Sequence, residues 1–152
     1  MEITYASIDD AAEILALQKR AFMQEAELYG EYDIEPLTVT LEDTVKEFRE
    51  CVILKLVEGG KIAGSVRAKE EKGTCHINKL MVDPSAQNRG FGGALMKRIE
   101  AEFPGCGKFE LYTGFKSENN KHLYMKLGYK ITATKMVHGN LGFVYMEKTI
   151  RT

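Results

Sequence analysis

The sequence predicts an α+β fold built on one mixed, mostly antiparallel sheet of about seven strands flanked by about four helices. Three observations predict it. The extended runs CVILKLV, KIAGSVRA and CHINKLMV follow one another with only Glu58-Gly59-Gly60 and Lys72-Gly73 between them, the mark of an antiparallel meander. KFELYT then lies between two helical patterns, so the chain must cross over from strand to strand through a helix. Two last extended runs, YKITATKMV and GFVYMEK, close the chain. A chain of 152 residues, 44% of them apolar, can bury one core, so residues 1–152 are expected to form a single domain.

The elements follow in order. Residues 2 to 7 alternate like a strand, and Asp10 with Glu13 resembles a capping box opening a helix whose buried stripe is Ile14, Leu17 and Ala21. The polar and aromatic segment MQEAELYGEYDIEPL is expected to be a loop, and Thr40 to cap a second helix with Leu41, Val45 and Phe48 on one face. The fourth strand carries a parity change. Cys75 and Ile77 place apolar residues at odd positions, Lys79 interrupts, and Leu80 and Val82 resume at even ones, the slip that a β-bulge produces. A helix opening at Gly90 follows, marked by Phe91, Leu95, Ile99 and Phe103 and ending before Pro104. Another spans Ser117 to Leu127 with Gly128 closing it.

Charge excludes more than it suggests. With 21 basic and 22 acidic residues the net charge is −1, which asks for neither nucleic acid nor an anionic membrane as partner. The start MEITYASIDDAAEI has no basic segment before an apolar core, and no run approaches the roughly 18 apolar residues of a membrane span, so a cytoplasmic protein is expected. The three cysteines lack CxxC spacing and read as reduced thiols, and His76, His122 and His138 lack metal-ligand spacing, so no metal is expected.

The chemistry-bearing segment runs from Val82 to Leu95, VDPSAQNRGFGGAL, a glycine-rich loop entering a helix. Glycines let backbone approach a ligand, and the unpaired N–H groups of the first helical turn make an anion cradle; Arg89 adds a fixed positive charge beside it. The dinucleotide fingerprint fails because Leu95 stands where its last glycine belongs, and no P-loop is present.

Leu80-x-Val82-x-Pro84-x-x-Gln87-x-Arg89-Gly90-x-Gly92-Gly93 resembles the acyl-CoA signature of the GNAT superfamily of N-acetyltransferases. A second block, Ser117 to Tyr129 with Asn119-Asn120, Leu123-Tyr124 and Leu127-Gly128-Tyr129, is similar to another block of that family, and the element order resembles its fold across nearly the whole chain. The resemblance implies acetyl-CoA as co-substrate. Its pyrophosphate would lie on Gln87, Asn88, Arg89, Gly90, Phe91, Gly92, Gly93 and Ala94, and its pantetheine arm on the backbone of Leu80 and Val82. A backbone N–H near Met81 would stabilise the thioester oxygen, Asn120 would bond the pantetheine, and Tyr124, four residues on and on the same helix face, would give a proton to the leaving thiolate.

An alkylamine is protonated at neutral pH, so some group must accept its proton before attack. Several relatives use a glutamate on the fourth strand, but here that strand offers His76, Asn78 and Lys79; Glu25, Glu27 and Glu110 remain as candidates. Glu25, Glu27, Tyr29 and Tyr32 form an acidic, aromatic stretch that suits a cationic acceptor, whether polyamine, amino sugar, amino acid or peptide terminus. The expectation is direct transfer to such a small-molecule or peptide amine in a ternary complex. The alternative is a non-catalytic CoA-binding sensor, and the apolar closing strands make a homodimer possible.

Overall fold

The computed structural model describes residues 1–150. Strand β1 (Glu2–Tyr5) leads through a 3₁₀ turn into α1 (Ala11–Tyr29), the short α2 (Glu35–Thr38) and α3 (Leu41–Glu50). The meander β2 (Val52–Glu58), β3 (Lys61–Glu71) and β4 (Thr74–Val82) follows, then α4 (Phe91–Ala101), β5 (Lys108–Gly114), α5 (Glu118–Lys126), β6 (Lys130–His138) and β7 (Leu141–Thr149). The seven strands form one sheet in the order β1-β2-β3-β4-β5-β7-β6. Only β4 and β5 run parallel; every other neighbour is antiparallel. The α+β architecture expected from the sequence is therefore present, with one extra short helix.

Two apolar layers hold the sheet. Leu95, Met96 and Ile99 of α4 are fully buried against Leu54, Leu56 and Val66, and Tyr124 and Leu123 of α5 join this layer. On the opposite face Ile14 and Leu17 of α1 bury against Ile53, Ile62 and Met81. Each fully buried Leu or Ile contributes about 1.5–3 kcal/mol relative to exposure, so these helices are fixed by their apolar faces. Strand β6, at the sheet's edge, is exposed along its length, with Ile131, Met136 and Val137 outward. Among the described residues no helix is long and apolar enough to cross a membrane.

Three local expectations are corrected. The segment from Met23 does not begin a loop: α1 continues to Tyr29, because Gln24 to Leu28 are strong helix formers and Ala26 and Tyr29 are buried, and it stops at Gly30 with φ 66°. Asp10 and Glu13 do not form the capping box. Asp10 instead accepts from the Ser7 N–H at 2.9 Å and pairs with Lys55 at 2.9 Å, while Glu13 accepts from the Ile62 N–H at 2.8 Å. Both acids tie the start of α1 to the meander. Thr40 caps α3 as expected, accepting from the Asp43 N–H, but the buried residue of that helix is Thr44, and Leu41 is exposed.

Candidate active site

The site is created where β4 and β5 part. Only Thr74, Cys75 and His76 pair with Lys108, Phe109 and Glu110; beyond them the two strands diverge. The bulge read from the parity change lies here: Lys79 has φ 53°, and the β3–β4 register jumps from Arg67↔Asn78 to Ser65↔Met81. Its effect is to put Cys75, Ile77, Leu80 and Val82 on the α4 side and Met81 on the α1 side.

The register also decides which backbone groups face the opening. The Asp83 N–H donates to the Ala63 oxygen at 2.8 Å and Met81 stands opposite Ser65, so alternation points the Met81 N–H at β3. Met81 is therefore already committed to the ladder and cannot supply the free donor expected of it. The backbone groups on the open side are those of Leu80 and Val82.

A long cleft follows that open edge, lined by Leu80, Met81, Val82, Gln87, Asn88, Gly90, Phe91, Gly92 and Gly93, with Asn120 and Leu123 across from them. Asn88 at φ 63° and Gly90 at φ 79° turn the loop so that it enters α4 with the N–H groups of its first turn leading. A Cβ on Gly92 would stand 3.3 Å from the Leu123 side chain, so glycine is what keeps this wall open. Arg89 and Ala94 do not line the cleft. The Arg89 guanidinium is turned away, held by Glu58 through bonds of 2.5 and 2.6 Å and stacked 4.6 Å from the Phe91 ring.

A smaller pocket adjoins the cleft, and Phe22, Glu25, Leu80 and Asn120 line both. Its walls are mostly apolar, with Ile34, Pro36, Leu111, Leu141 and Phe143, and its charged residues are Glu25, Glu35 and Lys79. Tyr29 and Tyr124 also reach it. The Tyr124 phenol, 5% exposed, is pushed well above its ordinary range by burial and then by the nearby charge of Glu25, so it keeps its proton at physiological pH. Ser117 donates its hydroxyl to Glu25, and the Tyr29 hydroxyl accepts from the Lys116 N–H at 2.8 Å; together they seat the end of α1 on the β5–α5 turn. Asn120 donates to the Thr113 hydroxyl at 3.4 Å.

Residues 12–129 match the Acetyltransferase (GNAT) family. The chain belongs to that family. It is 24% identical over 140 residues to the L-amino acid N-acyltransferase MnaT of Escherichia coli K12, covering 88% of this chain and 81% of that one. The fold is also that of the ribosomal-protein-S18-alanine N-acetyltransferase of E. coli, with TM-score 0.83, 17% identity and coverage of 99% and 94%. The PaiA N-acetyltransferase of Thermoplasma acidophilum, solved in complex with coenzyme A, superposes with TM-score 0.81 at 17% identity over 99% and 100% of the two chains. As a GNAT protein this chain is an acetyl-CoA-dependent acetyltransferase.

The GNAT frame sorts the residues read from the sequence. Gln87, Asn88, Gly90, Phe91, Gly92, Gly93, Leu80, Val82 and Asn120 are brought together in one cleft, and Glu25, Tyr29 and Tyr124 in the adjoining pocket. Glu27 lies on the cleft rim, whereas Tyr32 is 59% exposed and lines neither. Glu110 is in the paired part of β5, engaged with His76 at 3.4 Å and Lys108 at 3.1 Å. Sequence reasoning missed Phe22, Glu35 and Lys79. Lys79 had a signal, since it breaks the apolar alternation of β4; the other two sit in α1 and in the four-residue α2, with no pattern of their own.

Proposed function

We propose that the chain moves the acetyl group of acetyl-CoA to a primary amine of a small molecule or peptide, by direct attack of the amine in a ternary complex. The observation that carries this reading is the meeting of two cavities at Leu80, Asn120 and Glu25, one with an anion cradle at its far end and one closed by apolar walls. In this reading the pyrophosphate rests on the first-turn N–H groups of α4, and the pantetheine arm adds to the open edge of β4 through Leu80 and Val82. MnaT, by its name an N-acyltransferase of L-amino acids, and the S18-alanine enzyme both use an amine acceptor, which supports an amine here.

The acceptor ammonium loses a proton toward Glu25, directly or through water, and the neutral nitrogen attacks the thioester carbon. As the N–C bond forms, charge on the carbonyl oxygen is stabilised by the Leu80 N–H, a donor of the kind worth about a hundredfold in rate. The C–S bond breaks, the thiolate takes a proton from Tyr124, and the proton still carried by the attacking nitrogen passes, directly or through water, to the Tyr124 oxygen, leaving the neutral amide and restoring the phenol. Glu25 is favoured as base over Glu27 and Glu110 because it alone of the three lines both cavities.

Calorimetric titration with acetyl-CoA, followed by thiol release across a panel of amines, tests the reading. Binding with amine-dependent release is expected. Binding without release from any amine would leave a CoA-binding sensor in its place, and absence of binding would overturn the cradle.

A further inference from the structure

The smaller pocket carries more information than an acceptor of unspecified class requires. Its charged residues have opposite signs at different places: Glu25 at the junction with the long cleft, and Lys79 on the bulge of β4. Between and beyond them stand Ile34, Pro36, Leu111, Leu141 and Phe143. An anionic point, a cationic point and an apolar wall match the ammonium, carboxylate and side chain of an α-amino acid.

Lys79 is the informative residue. Its side chain is only 7% exposed, and its ammonium is met by one carboxylate, that of Glu35, whose own side chain is 58% exposed on the four-residue α2. A second cation stands close by. Arg67, opposite Asn78 in the β3–β4 register, is 2% exposed, its Nε has no hydrogen-bond partner, and the carboxylates whose charge acts on it are Glu47 and then Glu35. Gln18 accepts from Arg67 at 3.3 Å and donates to the Pro36 oxygen at 2.8 Å, so the same cation fixes the apolar wall. The Lys79 ammonium, by contrast, lies on the pocket wall, nearly buried, with the mostly solvated Glu35 as its carboxylate partner. A buried cation left without its anion is costly, whereas exchanging one carboxylate for another returns Glu35 to solvent and keeps the pair.

Resting on the acetyltransferase reading above, we infer that the acceptor is a free α-amino acid with an apolar side chain, its carboxylate held by Lys79 in place of Glu35 and its amine directed to Glu25. A polyamine fits less well, because its second ammonium would meet Lys79. A peptide amino terminus fits less well too, because a neutral carbonyl replaces the carboxylate beside the amine.

The test compares kcat/KM for L-leucine, L-methionine and L-phenylalanine with that for their carboxamides and their decarboxylated amines, at saturating acetyl-CoA, with calorimetric acetyl-CoA binding run alongside. The acids are expected to exceed both series by about tenfold or more. Lys79→Met is expected to bring the acid-to-amine ratio of KM values close to one, Lys79→Arg to keep much of the preference, and Glu35→Gln to lower KM for the acids severalfold by removing the competing carboxylate. Equal use of acids and decarboxylated amines, no use of the acids, or a ratio that Lys79→Met leaves in place would overturn the inference while acetyl-CoA binding persists. Loss of acetyl-CoA binding in the unsubstituted protein would instead overturn the acetyltransferase reading, and this inference with it.

Discussion

The two halves of the β4–β5 pair use the same kinds of residue for opposite ends. In the closed half, Thr74 to His76 pair with Lys108 to Glu110, and the surface between them is filled by the contacts of His76 and Lys108 with Glu110. In the open half, past the bulge at Lys79, β4 stays paired with β3 but has no strand on its β5 side, where the backbone groups of Leu80 and Val82 face. The closed half spends its backbone groups on the fold, and the open half holds them in reserve for a ligand. What separates them is one added residue in one strand, which shows how little sequence a sheet needs to convert a core position into a binding edge.

The contrast can be broken most severely at the cradle. Gly92→Trp, filling the space beside Leu123, is expected to abolish acetyl-CoA binding in calorimetry while leaving the circular dichroism of the fold in place; normal binding would remove the long cleft from the account. Tyr124→Phe should come next, lowering kcat by about 10²–10⁴ with little change in acetyl-CoA affinity. Burial and Glu25 raise the Tyr124 pKa, so the acid form is fully present at neutral pH and is lost only as pH rises through that raised value. The deficit of the Phe variant should therefore be constant between about pH 6 and pH 9. The smallest effect belongs to the closed half: Glu110→Gln weakens half-buried contacts away from both cavities and should change neither kcat nor acetyl-CoA affinity, and a lost activity would return Glu110 to the list of bases.

Much of this was legible before the structure. The meander was written in its turns, and the bulge in the shift from Cys75 and Ile77 to Leu80 and Val82, because side-chain parity is a local property. The direction of the backbone N–H at Met81 was not, since it depends on the register with Ser65 of another strand. Arg89 failed for a similar reason. Its charge suggested a phosphate, but its partner Glu58 lies 31 residues away, at the β2–β3 turn. The extension of α1 was hidden by its polar letters, although those letters are good helix formers, and it is this extension that delivers Glu25 and Tyr29 to the pocket. Lys79 was visible as an interruption, yet its burial and its pairing with Glu35 follow only from where α2 comes to rest.

The central claim is that Leu80 and Val82 keep their amides free for the co-substrate while Met81 does not. Residue-resolved amide hydrogen exchange with and without acetyl-CoA tests it directly. The account predicts rapid exchange at Leu80 and Val82 in the free protein, protection of both when acetyl-CoA binds, and slow exchange at Met81 in either state. Slow exchange at Leu80 and Val82 before the ligand is added, or no gain of protection at a saturating concentration, would contradict it.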